Sequence, residues 1–165
     1  MSECSIKGGV VSDVRRELEG MDLRDIFCVI LFVGGCNLYS RGGSFKGSRE
    51  LALSVGRELS SLEHFLWSQG VRVIVNPILL RVNHLPNYIP RLPQYAWSHL
   101  QVFNYNKTVH YCNKVFDHID NPLNTSSRQA ASNFYYDDGQ HLNSEGRLAL
   151  AWTWANIIRS WKLKV

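Results

Sequence analysis

Two apolar runs constrain this chain more than anything else in it. IFCVILFVGG, residues 26–35, is an unbroken β-branched, aliphatic and aromatic stretch that ends in two glycines, and VRVIVNPILL, residues 71–80, is of the same kind. Neither alternates apolar with polar residues, so each reads as a strand buried on both faces, the setting of a parallel sheet. Between them, Leu51, Val55, Leu59, Leu62 and Leu66 recur at three- and four-residue steps from about Arg49 to Gln69, and Gly70 is placed to end the helix they define. Parallel neighbours need a crossover, so strand, helix, strand is the unit of an open α/β sheet.

The remaining segments fit around that unit. ECSI, residues 3–6, reads as a short strand, and VVSDVRRELEGM as a helix whose buried face is Val11, Val14 and Leu18. YSRGGSFKGS is a polar, glycine-rich loop. RVNHLPNYIPRLPQY, residues 81–95, holds three prolines and reads as a surface loop. A helix is expected from about Ala96 to Tyr111, a short strand at KVFDHI, residues 114–119, then a second long loop, DNPLNTSSRQAASNF. The last helix starts near Asn143 or Ser144, either of which can cap it. Leu148, Ala151, Trp152, Ala155 and Ile158 are expected as its core face and Trp154, Ile157 and Trp161 as a second stripe, so the helix is apolar over a wide arc and reads as packed deeply on the sheet, with a partner-binding face as the alternative.

Composition places limits on function. The 165 residues suit one domain, 45% apolar and 19% charged, which argues against disorder. A formal charge of +4, scattered without runs, permits contact with a polyanion such as RNA without demanding it. Cys4, Cys28, Cys36 and Cys112 form no CxxC pair and read as reduced thiols of a cytoplasmic, intracellular protein. No secretory leader opens the chain and no run reaches a membrane span, so no membrane contact is expected. The glycosylation sequons at Asn106 and Asn124 then read as chance. His84, His99, His110 and His118 lack regular ligand spacing, and GGSFKGS lacks the phosphate-loop spacing, so neither a metal nor a cofactor is expected.

One pair of residues suggests chemistry. Asp138 stands three residues before His141, Gly139 permits a turn between them, and a helix follows at once. A histidine works as a general base when a carboxylate fixes its tautomer and stabilises the imidazolium. The same pair also fits a loop aspartate and a histidine near a cap, with no chemistry.

The surroundings of that pair resemble a known family. DDGQHLNSEGRLALA is similar to the last block of the SGNH (GDSL-like) hydrolases, D-G-x-H-L-N-x-x-G, through Asp138, Gly139, His141, Leu142, Asn143 and Gly146. VILFVGGCNL, residues 29–38, resembles the strand and loop ending in V-G-T-N-D-L, and KGGVVSDVRREL, residues 7–18, resembles the block P-G-A-x-V-S-D-L. The three stand in the family's order and span nearly the whole chain. The version they most resemble is the divergent domain of animal retrotransposon-derived proteins.

The resemblance implies an α/β three-layer sandwich with a mostly parallel, flavodoxin-like sheet. It implies esterase or deacylase chemistry on a small ester, with His141 as base, Asp138 orienting it and the Gly8 N–H in the oxyanion hole. Gly34 matches the glycine of the third block. An ungapped alignment puts Cys36 at the oxyanion asparagine, and a one-residue shift puts Asn37 there instead; the sequence leaves both open. The family's nucleophile lies in a Gly-Asp-Ser block on the first strand, and this chain contains no Gly-Asp-Ser. Ser2, Ser5 and Ser12 match the second block and its flanks, so the nucleophile is unknown. The expectation is therefore a single domain over residues 1–165, N-terminally incomplete, lacking the first strand and impaired in catalysis. A non-catalytic RNA- or protein-binding module is the alternative, and strand edges left without a neighbour would favour self-association.

Overall fold

A computed structural model of the chain describes residues 9–38, 49–81, 99–115, 133–136 and 141–162. It is a mixed α/β protein with a small parallel sheet and several helices. The chain divides into two compact units, one of residues 1–78 and 107–119, the other of 79–106 and 120–165.

The first unit holds the strand–helix–strand element expected above. Strand β1 (Cys28–Leu31) pairs in parallel with β2 (Arg72–Val75), in the register Cys28 with Arg72 through Leu31 with Val75. Helix α2 (Arg49–Ser68) connects them and buries Ala52, Val55, Gly56, Leu59, Leu62 and Leu66; of the stripe read from the sequence, Leu51 alone is only half-buried. It packs on β2 and on helix α1 (Val11–Glu19), whose Val11 and Leu18 are buried. Gly70 ends α2 as its position required. Its φ of 77° is left-handed, where a side chain is strained, and its N–H donates to the Trp67 carbonyl at 2.9 Å.

The strands are shorter than the apolar runs that announced them. Of β1, only Leu31 is buried, while the flanking Phe27 and Phe32 are 51% and 52% exposed. The second run keeps its burial past the end of β2, through Asn76, Pro77 and Ile78.

Helix α3 (His99–Val115) ends later than expected, so Lys114 and Val115 are helical and the strand expected at 114–119 does not start there. Val102, Tyr105, Val109 and Cys112, three and four residues apart, are its buried face.

In the second unit, helix α4 (Ser144–Lys162) starts where the cap was expected, but part of its expected core face is exposed. Leu148 is 59% exposed and Trp152 55%, while Gly146 and Leu150 are buried and Trp154, Ile157 and Trp161 half-buried. Of the face expected in the core, Leu148, Ala151 and Trp152 are exposed and Ala155 and Ile158 half-buried, so the helix is not packed over the whole apolar arc. Gly146 decides which side packs. A Cβ there would collide with the backbone oxygen of Phe134 and crowd Leu142, so this face of the helix meets the Phe134–Leu142 cluster with only a hydrogen between.

Among the described residues no helix is long and apolar enough to cross a membrane. The strand expected at residues 3–6, the loop expected at 39–48, most of those expected at 81–95 and 120–134, and the rest of the strand expected at 114–119 lie outside the described residues.

Candidate functional site

In the first unit, the carboxyl end of β1 leads into a glycine turn and a short 3-10 helix, Gly35–Leu38. Gly34 has φ 124°, and a Cβ on it would come within 2.9 Å of the Ile78 side chain, so both conformation and space demand glycine. The Asn37 N–H donates to the Gly34 carbonyl at 3.1 Å and tightens the turn, and Leu38 behind it is fully buried.

That turn aims Asn37 at the start of α1. Val10 is the N-cap of α1 and has no side-chain acceptor, although an N-cap normally supplies one. Asn37 supplies it from 26 residues away: its Oδ1 accepts the Val11 N–H at 3.1 Å. Asp13 closes the other side by accepting the Val10 N–H at 3.0 Å, the reciprocal half of a capping box. With its oxygen so engaged, Asn37 presents its amide nitrogen outward, where Glu58 Oε2 lies at a long 3.5 Å. Cys36, its neighbour, is exposed, and desolvation of its sulfur raises the thiol pKa. Of the two residues considered for the oxyanion position, Asn37 is the one held in a fixed orientation. Gly8 lies outside the described residues.

In the second unit, residues 134–136 and 141–143 run antiparallel. Tyr135 bridges Leu142, the Tyr136 N–H donates to the His141 carbonyl at 2.8 Å, and the Asn143 N–H donates to the Phe134 carbonyl at 2.9 Å. Asn143 then fastens the helix to this ladder. Its Oδ1 accepts the Gly146 N–H at 2.9 Å, capping α4, while its Nδ2 donates to the carbonyls of Asn133 at 2.7 Å and Tyr135 at 3.2 Å. His141 is exposed at the mouth of this ladder, two residues before the cap. Asp138 and Gly139 lie outside the described residues. His141 belongs to the second unit and Asn37 to the first.

Several polar anchors escaped the sequence reading. Asn113 grips Ile78 with two bonds, accepting its N–H at 3.0 Å and donating to its carbonyl at 2.9 Å. Asn106 does the same to Arg81, both at 2.8 Å. Each amide acts as one rung of a β-ladder for a strand-like segment that follows β2. Their only signal in the sequence is a seven-residue spacing beside the apolar face of α3. Asn106 is also the first sequon, and its amide nitrogen is occupied in the fold. Arg81 itself is buried, at 5% exposed. Tyr135, also buried, donates its hydroxyl to the Leu80 carbonyl at 2.8 Å, and burial pushes its pKa well up.

The described thiols are free and desolvated to different degrees. Burial lifts Cys112 to about 11 from the ordinary 9.0. Cys28 is raised by burial too, offset in part by a backbone hydrogen bond with Ile74 and by Arg72. Neither is a poised nucleophile, which would need a lowered pKa. Among the described residues no group of His, Cys, Asp and Glu could hold a metal ion.

Comparison with family models, with curated proteins and with solved structures finds no match.

Proposed function

We propose that this chain is an SGNH-hydrolase-like domain that keeps the oxyanion and acid–base parts of an esterase site and is impaired in turnover. The observation that carries it is Asn37. A parallel strand, a glycine turn and a side-chain amide fixed by a helix N-terminus together present an N–H donor at the carboxyl end of β1. Ligands of open α/β sheets bind at the carboxyl ends of strands. The placement of His141 just before a helix capped by Asn143 supports the same assignment. The complete architecture would be a three-layer sandwich with a mostly parallel sheet, of the type found in retrotransposon-derived proteins.

Each group has a defined part in acyl transfer to a small ester. The Asn37 amide and the Gly8 N–H would stabilise charge on the carbonyl oxygen, His141 would move the proton, and Asp138 would hold its ring. No cofactor enters this chemistry. The step that fails is the first, because these 165 residues contain no Gly-Asp-Ser to supply an activated hydroxyl. Without it the site can bind and polarise an ester but forms no acyl-enzyme. Free thiols, rather than disulfides, suit a cytoplasmic setting.

The test is hydrolysis of short-chain p-nitrophenyl esters by the purified chain, beside a His141→Ala control. The two are expected to match. Robust turnover that vanishes in the control overturns impairment, and binding of the ester that is indifferent to Asn37→Ala overturns the oxyanion role.

A further inference from the structure

The outward face of α4 repeats with a period that serves neither the core nor the solvent. Glu145, Leu148, Trp152, Ala155 and Arg159 follow one another at steps of three, four, three and four residues, the spacing of a coiled-coil seam. All sit on the side of the helix opposite Gly146, Leu150 and Ile157, with Ala155 half-buried and the other four exposed. Leu148 and Trp152 are more than half exposed, and Arg159 lies over the Trp152 ring at 5.8 Å. Tryptophan and arginine beside a leucine are the composition of an interface centre rather than of a solvated surface.

We propose that this seam pairs with the same seam of a second copy, the two α4 helices running antiparallel. The order of residues makes the stripe self-complementary in that direction alone. The acid stands at its start and the arginine 14 residues on, about 21 Å along the axis. Antiparallel pairing in the interdigitated register leaves Glu145 of each copy about three residues, roughly 4.5 Å, along the axis from Arg159 of the other, within reach of its guanidinium. It also sets the large Trp152 of each copy over the small Ala155 of the other, and Leu148 against the stem of Arg159. Parallel pairing would oppose tryptophan to tryptophan and each charge to its like. An RNA strand fits less well, because Glu145 lies on the same stripe and the stacking face of Trp152 is shared with Arg159. One 19-residue helix, about 28 Å long, gives a small interface. The dimer is therefore weak and reversible, with Kd on the order of 1–100 µM. It needs nothing from the esterase chemistry.

Sedimentation velocity of the full chain across that concentration range tests it. A monomer–dimer equilibrium is expected. Trp152→Glu, at an exposed position that leaves the helix signal unchanged, weakens it by at least about 30-fold. Glu145→Arg and Arg159→Glu each weaken it about tenfold, and the double variant returns to within about threefold of the parent. A chain that stays monomeric throughout overturns the proposal. So does a dimer indifferent to Trp152→Glu, which would point to the sheet edges, and so does a double swap that fails to restore pairing. Binding of a fluorescent oligouridylate by a strictly monomeric chain, lost in Trp152→Glu, overturns it in favour of nucleic acid.

Discussion

The side-chain oxygen of Asn37 accepts the Val11 backbone N–H at 3.1 Å and so caps a helix whose own N-cap residue, Val10, cannot. One asparagine thereby joins the turn after β1 to α1 and leaves its amide nitrogen for another acceptor. Its structural and proposed chemical roles use different atoms, which makes them separable.

Asn37→Ala leaves the Val11 N–H without its acceptor beside a buried residue. A loss of about 1–2 kcal/mol is expected. Asn37→Asp keeps the acceptor and adds favourable charge at the helix start, partly offset by Glu58, so it lies nearer the parent. Cys36→Ser, at an exposed position, changes stability by less than about 0.5 kcal/mol. Urea unfolding midpoints at constant m-value give all three.

Gly146→Ala reverses the usual sign for a helix. Alanine is better than glycine there by about 1 kcal/mol on propensity alone. Its Cβ, however, meets the Phe134 backbone oxygen, which no rotamer change relieves. A net loss of about 1–3 kcal/mol is expected in thermal or urea unfolding.

Asn143→Ala removes the α4 cap and two donors to the 133–135 segment together, an expected cost of about 2–3 kcal/mol. Asn143→Ser keeps a capping oxygen, loses the donors and falls between. Amide exchange should rise at Tyr136 and Asn143 in the alanine variant before it rises elsewhere in the unit.

The parallel pair was legible because each strand lies in a continuous apolar run, and the helices because each rests on local periodicity. Spacing of that kind needs no partner to be recognised: Val55, Leu59, Leu62 and Leu66 declare one face of α2, and Gly70 its end. The faces of α4 were not legible, since Leu148–Trp152 and Trp154–Trp161 are equally apolar. What chooses between them is the close approach of Gly146 to Phe134, a tertiary fact. KVFDHI carries strand-favouring residues, yet α3 runs on through Lys114 and Val115 because tertiary context overrides weak local propensity. The Asn37 cap spans 26 residues, and the Asn106 and Asn113 clamps span 25 and 35, so no window of sequence could reveal them. The helix start just after His141 was legible because Asn143 is a capping residue.

Cys112 makes stability fall at alkaline pH. Its folded-state pKa of about 11 lies above the unfolded value of 9.0, so the folded chain holds the proton more tightly. That contribution is complete below pH 9 and is lost as pH rises through about 11. Near pH 10.5 the parent should have lost about 2 kcal/mol that Cys112→Ala does not lose. Tyr135 acts in the same direction at higher pH in both proteins, so the difference between them isolates the thiol. Urea midpoints at pH 8 and near 10.5 measure it.

Whether the His141 side of the site has a serine to serve decides the proposed function most directly. Incubating the chain with a fluorophosphonate probe, followed by intact-mass measurement, reads that without choosing a substrate. Unmodified protein, with the same result for His141→Ala, is predicted. A stoichiometric adduct on one serine that disappears in His141→Ala would contradict impairment and make this chain a working esterase.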